Sequence, residues 1–229
     1  MNRIMKNCFD LILLLLIGFM FQGCTEKLPK VLIIGDSIAG DYFPFAEETL
    51  KGKVLLYKAT QMNDEGEMTS CEGTTMGMKK VEEWIGDTEW DVIHFNFGLH
   101  DMKHIKPGTN KNSKNLNDPQ QANPEQYGKN LRVIVQKLKA SGAKLIFATT
   151  TPYPDKLGKQ MRTPGMPAVY NKIAIEIMRE NDIAINDIYS YVLPRMEKLQ
   201  RPKNVHFTEK GYQVIGNEVA EIITKHITK

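Results

Sequence analysis

A serine and a histidine far apart in the chain could together carry out acyl transfer. Ser37 directly follows the apolar run and turn in the segment KVLIIGDSIAG, and His206 lies in NVHFTEKGY, just before the last amphipathic segment. A neutral histidine can accept the proton of a serine hydroxyl, which makes that hydroxyl a nucleophile. Ser37 is therefore a candidate nucleophile and His206 a candidate base, although a serine and a distant histidine by themselves mean little.

Other interpretations of these residues remain open at this point. The segment GDSIAG has two glycines but matches neither the dinucleotide-binding nor the P-loop pattern, and Asp36 would repel a phosphate. Ser37 could serve only as a helix cap, and His206 could be purely structural. Asp36 and Asp101 could also form a pair of carboxylates of the glycosidase type, although each more simply caps its own loop.

Three histidines and an aspartate lie close together in the sequence and raise the question of a metal site. His94 falls inside a predicted strand, and His100 and His104 would share a face only if the segment between them were helical. The chain lacks the cysteine and histidine spacing of a zinc site. We therefore expect neither a metal nor another cofactor.

Strand-like and helix-like patterns alternate along the chain. A continuous apolar run predicts a buried strand over 31–37, and strand-like runs at 54–60, 90–98, 143–152 and 183–189 are four further candidates. Helical spacing with start and stop signals predicts helices over 74–86, 123–142, 167–181 and 208–227. This order predicts an α/β fold with a mostly parallel sheet covered by helices on both faces. Chemistry in such folds lies at the carboxyl ends of the strands, where Ser37 and the segment 98–101 would meet.

The amino-terminal residues predict export. A basic start and an apolar core of residues 11–21, too short for a membrane-spanning helix of ~20 residues, indicate a signal peptide. Cys24 follows Gly23 at the end of that core, which resembles a bacterial lipobox. We expect a signal peptide over 1–23, a lipid on Cys24, a tether over 24–29 and a domain over 30–229. The membrane would then be contacted only through this anchor, in the periplasm or at the cell surface. A plain signal peptide cleaved nearby, or an uncleaved anchor, stays as an alternative.

The charge balance gives no argument for nucleic acid as a partner. The chain carries 30 Lys and Arg against 27 Asp and Glu, a net charge of +3. Nucleic-acid-binding domains have a strong basic excess on one surface.

Four segments in order resemble the blocks of the SGNH (GDSL-like) hydrolases. IIGDSIAG resembles the block of the nucleophile, CEGTTMG the second block, FNFGLHD the third and NVHFTEKGY the block of the catalytic histidine. The resemblance implies a flavodoxin-like three-layer α/β/α fold with a five-stranded parallel sheet. It also implies ester hydrolysis without a metal, with Ser37 as nucleophile and His206 as base.

The same resemblance implies further site residues and a substrate class. The backbone N–H groups of Ser37 and Gly73 and the side chain of His100 would bind the oxyanion, supported by Asp36 and Asp101. The substrate would be an acyl ester, most simply an O-acetyl ester of a carbohydrate. A lipid or thioester hydrolase, or a degenerate protein that binds glycan without turnover, stays as an alternative.

The chain departs from the family pattern at three positions. His100 replaces the asparagine of the third block, and we interpret G-L-H-D as a subgroup variant. Glu72 stands where the second-block glycine is expected, so that Gly73 is one step out of register. Lys203 replaces the acid three residues before His206. The imidazole is then oriented by Asn204, by a backbone carbonyl, by another acid, or by no acceptor at all, as in a serine–histidine dyad.

Arg162 lies in the loop after the fourth predicted strand. It could contact an anionic substrate, or it could be a solvated loop charge. We favour the solvated charge.

Overall fold

The computed structural model describes residues 27–62, 66–109, 111–158 and 162–227. The predicted signal peptide, Cys24 and the first part of the tether lie outside the described residues, so export and lipidation stay predictions. Within the described ranges, no helix is long and apolar enough to cross a bilayer.

A five-stranded parallel sheet forms the centre of the fold. In chain order the strands are β1 (Lys30–Ile34), β2 (Leu55–Lys58), β3 (Thr60–Met62), β4 (Met68–Ser70), β5 (Val92–Phe95), β6 (Lys144–Ala148) and β7 (Ala184–Asn186). The sheet order is β2-β1-β5-β6-β7 with all neighbours parallel, while β3 and β4 form a separate antiparallel hairpin.

Helices cover both faces of this sheet. They are α1 (Ser37–Leu50), α2 (Thr74–Ile85), α3 (Pro124–Ala140), α4 (Met166–Glu180), α5 (Ile188–Val192), α6 (Met196–Leu199) and α7 (Glu209–Ile227), with a 3₁₀ turn at Leu193–Arg195. Helix α1 packs against α7, while α3 packs against α2 and α4. The predicted three-layer α/β/α fold is confirmed.

Burial in the core explains why the central strands could be recognised in the sequence. Val31, Ile33, Ile93 and Phe147 are fully buried, because a central parallel strand contacts helices on both sides. The strands end earlier than predicted, since β1 stops at Ile34 and the chain turns at once into α1. The hairpin of β3 and β4 was not predicted.

Candidate active site

Ser37 is the first residue of α1, at the carboxyl end of β1. The turn is tight: a Cβ on Gly35 would lie 2.6 Å from the Cβ of Ala39. Asp36 is the helix cap, and its carboxylate accepts a hydrogen bond of 2.9 Å from the backbone N–H of Ile38. The interpretation of Ser37 as a mere cap is therefore wrong, and its hydroxyl is available for another partner.

That partner is His206. The distance between Ser37 Oγ and His206 Nε2 is 2.9 Å, across 169 residues of chain. His206 is held by its backbone carbonyl, which accepts from the N–H of Arg201 at 3.0 Å, and by the bridge between Gln200 and Phe207. The sequence alone paired these two residues, and the structure brings them into hydrogen-bond contact.

Asn204 contacts the other nitrogen of the imidazole. Its Oδ1 lies 3.1 Å from His206 Nδ1 and also accepts the backbone N–H of His206 at 3.1 Å. An amide oxygen can only accept, so Nδ1 carries the hydrogen and Nε2 is left to accept from Ser37. Asn204 therefore holds the imidazole in the tautomer with hydrogen on Nδ1, and it is one of the acceptors that the sequence left open.

Lys203 lies beside this contact but does not replace the missing acid. Its φ is 53°, an unusual value for a residue other than glycine, and its carbonyl accepts from Gly158 N at 2.9 Å. This backbone conformation turns the chain so that the next residue, Asn204, reaches the imidazole.

The electrostatic surroundings favour a neutral His206. Burial is the largest effect and lowers the pKa of the imidazole below its usual value of 6.5. Asp41 and Asp36 act in the opposite direction, while Arg201 and Arg162 lower the pKa further. A lowered pKa keeps the imidazole unprotonated, and so able to accept the proton of Ser37, to a lower pH than a free histidine would.

Replacing Asn204 tests this arrangement. Asn204→Asp puts a carboxylate against Nδ1, so we expect the pKa of His206 to rise and the acidic limb of the kcat/KM profile to move to higher pH than in the wild type. Asn204→Ala removes a hydrogen bond worth about 1 kcal/mol, and we expect kcat to fall roughly five- to tenfold. The test is to measure kcat and kcat/KM of the wild type and both variants with p-nitrophenyl acetate across a range of pH. If Asn204→Ala keeps wild-type kcat, another group orients the imidazole.

His100 lies in the turn after β5 and is largely buried. Burial lowers the pKa of its imidazole to about 3, and the charges of Lys103, Arg162 and His206 add to that effect. The side chain is thus neutral at physiological pH. A neutral imidazole can donate one N–H to an oxyanion, which is the role that the sequence suggested.

Asp101 joins the third block to the second. Its fully buried carboxylate accepts hydrogen bonds from Thr74 N at 2.9 Å and from Thr74 Oγ1 at 2.5 Å. Burial raises the pKa of Asp101 to about 7. A Cβ on Gly73, the cap of α2, would lie 3.0 Å from this carboxylate, so a side chain there would press on Asp101 and the close approach favours glycine. Asp36 caps the start of its own helix, as the sequence favoured, whereas Asp101 does not cap its own loop but holds the start of α2, 27 residues away in the chain.

The other two histidines have structural partners. His94 is fully buried with Nε2 3.2 Å from Asn186 Nδ2, and His104 contacts Asp118 O at 2.7 Å and Thr163 Oγ1 at 3.0 Å. Within the described ranges, no three metal-ligating side chains lie close enough to hold an ion.

Arg162 differs from the expectation. It is only 3% exposed, and its Nε donates to the carbonyl of Leu99 at 2.9 Å. Burial lowers the pKa of the guanidinium to about 10, which still leaves it charged. The favoured interpretation as a solvated loop charge is wrong, because the arginine packs onto the turn that carries His100. Contact with an anionic substrate stays a prediction.

Two spaces of different size lie near the candidate site: one has Asp36 and Ile38, the neighbours of Ser37, in its wall, and the other has His206. A small cavity of about 20 Å³ lies between the first turn of α1 and the ends of β5 and β6, with Asp36, Asn96, Leu99 and Thr150 in its wall. A larger cleft of about 450 Å³ lies on the side of His206, between 157–158 and 202–206. The larger one falls within the usual size of small-molecule sites.

The model of the GDSL-like lipase/acylhydrolase family matches residues 33–214. The chain belongs to this family. It is therefore a hydrolase that acts on ester bonds. That the G-L-H-D form marks a subgroup stays a prediction.

Solved structures share the fold at low identity. The acetyl xylan esterase AlAXEase has 18% identity and a TM-score of 0.64, covering 85% of this chain and 99% of its own. A putative acylhydrolase from Bacteroides fragilis NCTC 9343 has 18% identity and a TM-score of 0.63, covering 89% and 93%. A catalytic mutant of an acetylxylan esterase from Geobacillus stearothermophilus has 15% identity and a TM-score of 0.64, covering 86% and 94%. No curated protein matches the chain.

Proposed function

We propose that the protein is a serine esterase that removes short acyl groups, chiefly O-acetyl, from carbohydrates. One observation carries the catalytic assignment: Ser37 Oγ lies 2.9 Å from His206 Nε2, while the opposite nitrogen lies 3.1 Å from Asn204 Oδ1. This is the arrangement of nucleophile, base and orienting group that acyl transfer requires.

The reaction follows from these positions in two halves. Ser37 Oγ attacks the ester carbonyl as its proton passes to His206 Nε2. The carbonyl oxygen becomes an oxyanion that accepts hydrogen bonds from the N–H groups of Ser37 and Gly73 and from His100. The carbon–oxygen bond to the alcohol then breaks, and the alcohol takes the proton from His206. Water then attacks the acyl carbon as its proton passes to His206. The bond between that carbon and Ser37 Oγ breaks, Oγ takes the proton back from His206, and the acid is released.

The dimensions of the site support a small acyl group and a larger alcohol. We place the methyl group of an acetyl ester in the cavity of about 20 Å³ whose wall includes Asp36 and Ile38, the two neighbours of Ser37. This cavity has room for roughly one water molecule, far less than a fatty acyl chain needs. The cleft of about 450 Å³ beside His206 includes the polar residues Lys203 and Asn204, which suit a hydroxylated alcohol such as a sugar. The two acetylxylan esterases that share the fold act on acetylated xylan by their names, which agrees with this choice.

A degenerate, purely glycan-binding protein is the alternative from a different functional class. Lys203 in place of the expected acid favours it, whereas the intact contact between Ser37 and His206 disfavours it. A binding protein has no need of an aligned serine and imidazole.

Acyl-chain length separates the carbohydrate esterase from a lipase. We expect kcat/KM for p-nitrophenyl acetate to exceed that for the octanoate at least tenfold, because the small cavity excludes the longer chain. Acetylated xylan should release acetate, measured by an enzymatic acetate assay. A preference for the octanoate would contradict the carbohydrate assignment and leave the lipid hydrolase, while no turnover of any ester would favour the binding protein.

A further inference from the structure

An acid lies one helical turn after Ser37. Asp41 belongs to α1 and follows Ser37, the first residue of that helix, by four positions. Side chains four apart share one face of a helix, and their Cα–Cβ bonds tilt toward the amino terminus, so the Asp41 carboxylate is directed toward the turn of Ser37. The residue is exposed. Helix α1 therefore places a negative charge at the edge of the site.

The start of α7 contacts Asp41 from the other side. Tyr212 of α7 is 4% exposed, and its hydroxyl lies against the Asp41 carboxylate, outside the geometry of a normal hydrogen bond. Burial is the larger cause that raises the pKa of this hydroxyl, and the carboxylate adds to it. The two helices pack closely, since a Cβ on Gly216 would lie 2.8 Å from the backbone oxygen of Tyr42. Asp41 thus lies where α1 meets the segment that carries His206.

Asp41 acts on the imidazole of His206 through space. Both ring nitrogens already have a partner, Ser37 Oγ at 2.9 Å and Asn204 Oδ1 at 3.1 Å. Burial has the largest effect on the pKa of His206 and lowers it, while Asp41 has the largest effect among the charged groups and raises it. The other titratable groups that face the ring are an acid with the same effect, two arginines with the opposite effect and a neutral imidazole: Asp36, Arg201, Arg162 and His100.

The proposed reaction needs negative charge near this imidazole. His206 becomes an imidazolium each time it takes a proton from Ser37 or from water. Asn204 accepts the hydrogen on Nδ1 but has no charge, and Lys203 carries the opposite charge at the position of the acid in the family pattern. The block of the catalytic histidine thus supplies an acceptor without the charge.

Of the two acids near the ring, Asp41 is the better source of that charge. Asp36 is 4% exposed, and burial raises the pKa of its carboxyl, which favours the uncharged form. Its carboxylate also accepts the backbone N–H of Ile38 as the cap of α1. Asp41 is exposed, so it carries its charge without the cost of burial.

We propose that Asp41 is a positioning residue that acts through His206: from α1, its carboxylate stabilises the imidazolium that forms when His206 takes a proton. In the family pattern this charge comes from an acid three residues before the histidine, where this chain has Lys203. The inference rests on the proposed function of Ser37 and His206. It explains how the base keeps a charged partner although Lys203 has replaced the acid.

Asp41→Asn removes the charge and keeps the size of the side chain. We expect kcat for p-nitrophenyl acetate to fall roughly three- to tenfold with KM within about twofold, because the imidazolium forms only during the reaction. The acidic limb of kcat/KM should move to lower pH by about half a unit to one unit, since loss of a nearby negative charge lowers the pKa of His206. Asp41→Glu keeps the charge and should retain most of the activity. Glu47→Gln, at an exposed acid of the same helix, is the matched control.

Salt and a double variant separate this role from a structural one. Salt screens exposed charges, so the shift of the acidic limb in Asp41→Asn should shrink by roughly half or more in about 1 M sodium chloride compared with about 0.01 M. Asp41→Asn combined with Asn204→Asp should recover most of the lost kcat, because a carboxylate at position 204 supplies the charge from the other side of the ring. Asp41→Asn should melt within a few degrees of the wild type, since Asp41 is exposed.

Three results would overturn the inference. They are an acidic limb that stays in place in Asp41→Asn, a loss confined to KM, or a shift of the acidic limb that high salt leaves unchanged. A loss confined to KM would instead make Asp41 a contact of the substrate. Failure of the proposed function is distinguishable, because wild-type protein would then not react with a fluorophosphonate at Ser37, whatever residue 41 is.

Discussion

Ser37→Ala should reduce kcat for p-nitrophenyl acetate by a factor on the order of 10⁴ or more, because it removes the only atom that forms the acyl-enzyme. Rates of p-nitrophenol release, corrected for spontaneous hydrolysis, measure this loss. The structure also predicts that the fold is unaffected. Asp36 and not Ser37 caps α1, and the hydroxyl contacts His206 alone among the hydrogen bonds of the described residues.

Ser190→Ala is the matched control for this variant. Ser190 is an exposed serine of α5, so its hydroxyl should be dispensable and kcat should equal that of the wild type. Thermal melts should place both variants within a few degrees of the wild type. Residual activity of Ser37→Ala above about one hundredth of the wild-type kcat would show that another nucleophile carries the reaction.

His206→Ala should reduce kcat on the same order as Ser37→Ala. Without the imidazole, the hydroxyl loses the base 2.9 Å away, and the departing alcohol loses its proton donor. Because the two residues act as a unit, the double variant should be no slower than either single variant. Full multiplication of the two losses would contradict a shared mechanism. His226→Ala is the control, since His226 contacts Ile222 O near the end of α7 and has no part in the site.

The sheet and the positions of the blocks could be predicted because the relevant signals are local. A central parallel strand is buried on both faces, so β1 and β6 appear as apolar runs and β5 as an apolar run with one histidine, His94. Alternation with helices places the carboxyl ends of these strands at one edge. That reasoning brought Ser37 and the segment of His100 to the same side before any contact was known.

The hairpin of β3 and β4 could not be predicted because its burial is inverted. Gln61 is 9% exposed, while Met62 and Met68 are 68% and 63% exposed. A pattern that expects apolar residues inside cannot recognise such strands. The burial of Arg162 could not be predicted either. Its guanidinium is held by a backbone carbonyl 63 residues away in the chain, and no local pattern shows such a contact.

The contact of Asn204 with His206 could be anticipated from the sequence, whereas the contact of Lys103 with His100 could not. Asparagine often bonds the backbone N–H two residues ahead, so its position before His206 allowed a turn that brings Oδ1 to the imidazole. Lys103 reaches His100 only because the chain turns at Gly98, and that turn is visible only in the structure. A motif has a fixed spacing of residues in the sequence. A contact that depends on how distant segments fold has no such spacing and cannot be recognised in this way.

Mapping a covalent adduct tests the central claim most directly. Protein comprising residues 27–229 is treated with a fluorophosphonate, in which Ser37 Oγ would bond to phosphorus as fluoride leaves, and the adduct is located by peptide mass spectrometry. We predict one adduct per molecule, on Ser37, at a rate that falls sharply in His206→Ala. An unmodified Ser37, or an adduct on another residue, would contradict the assignment of the nucleophile.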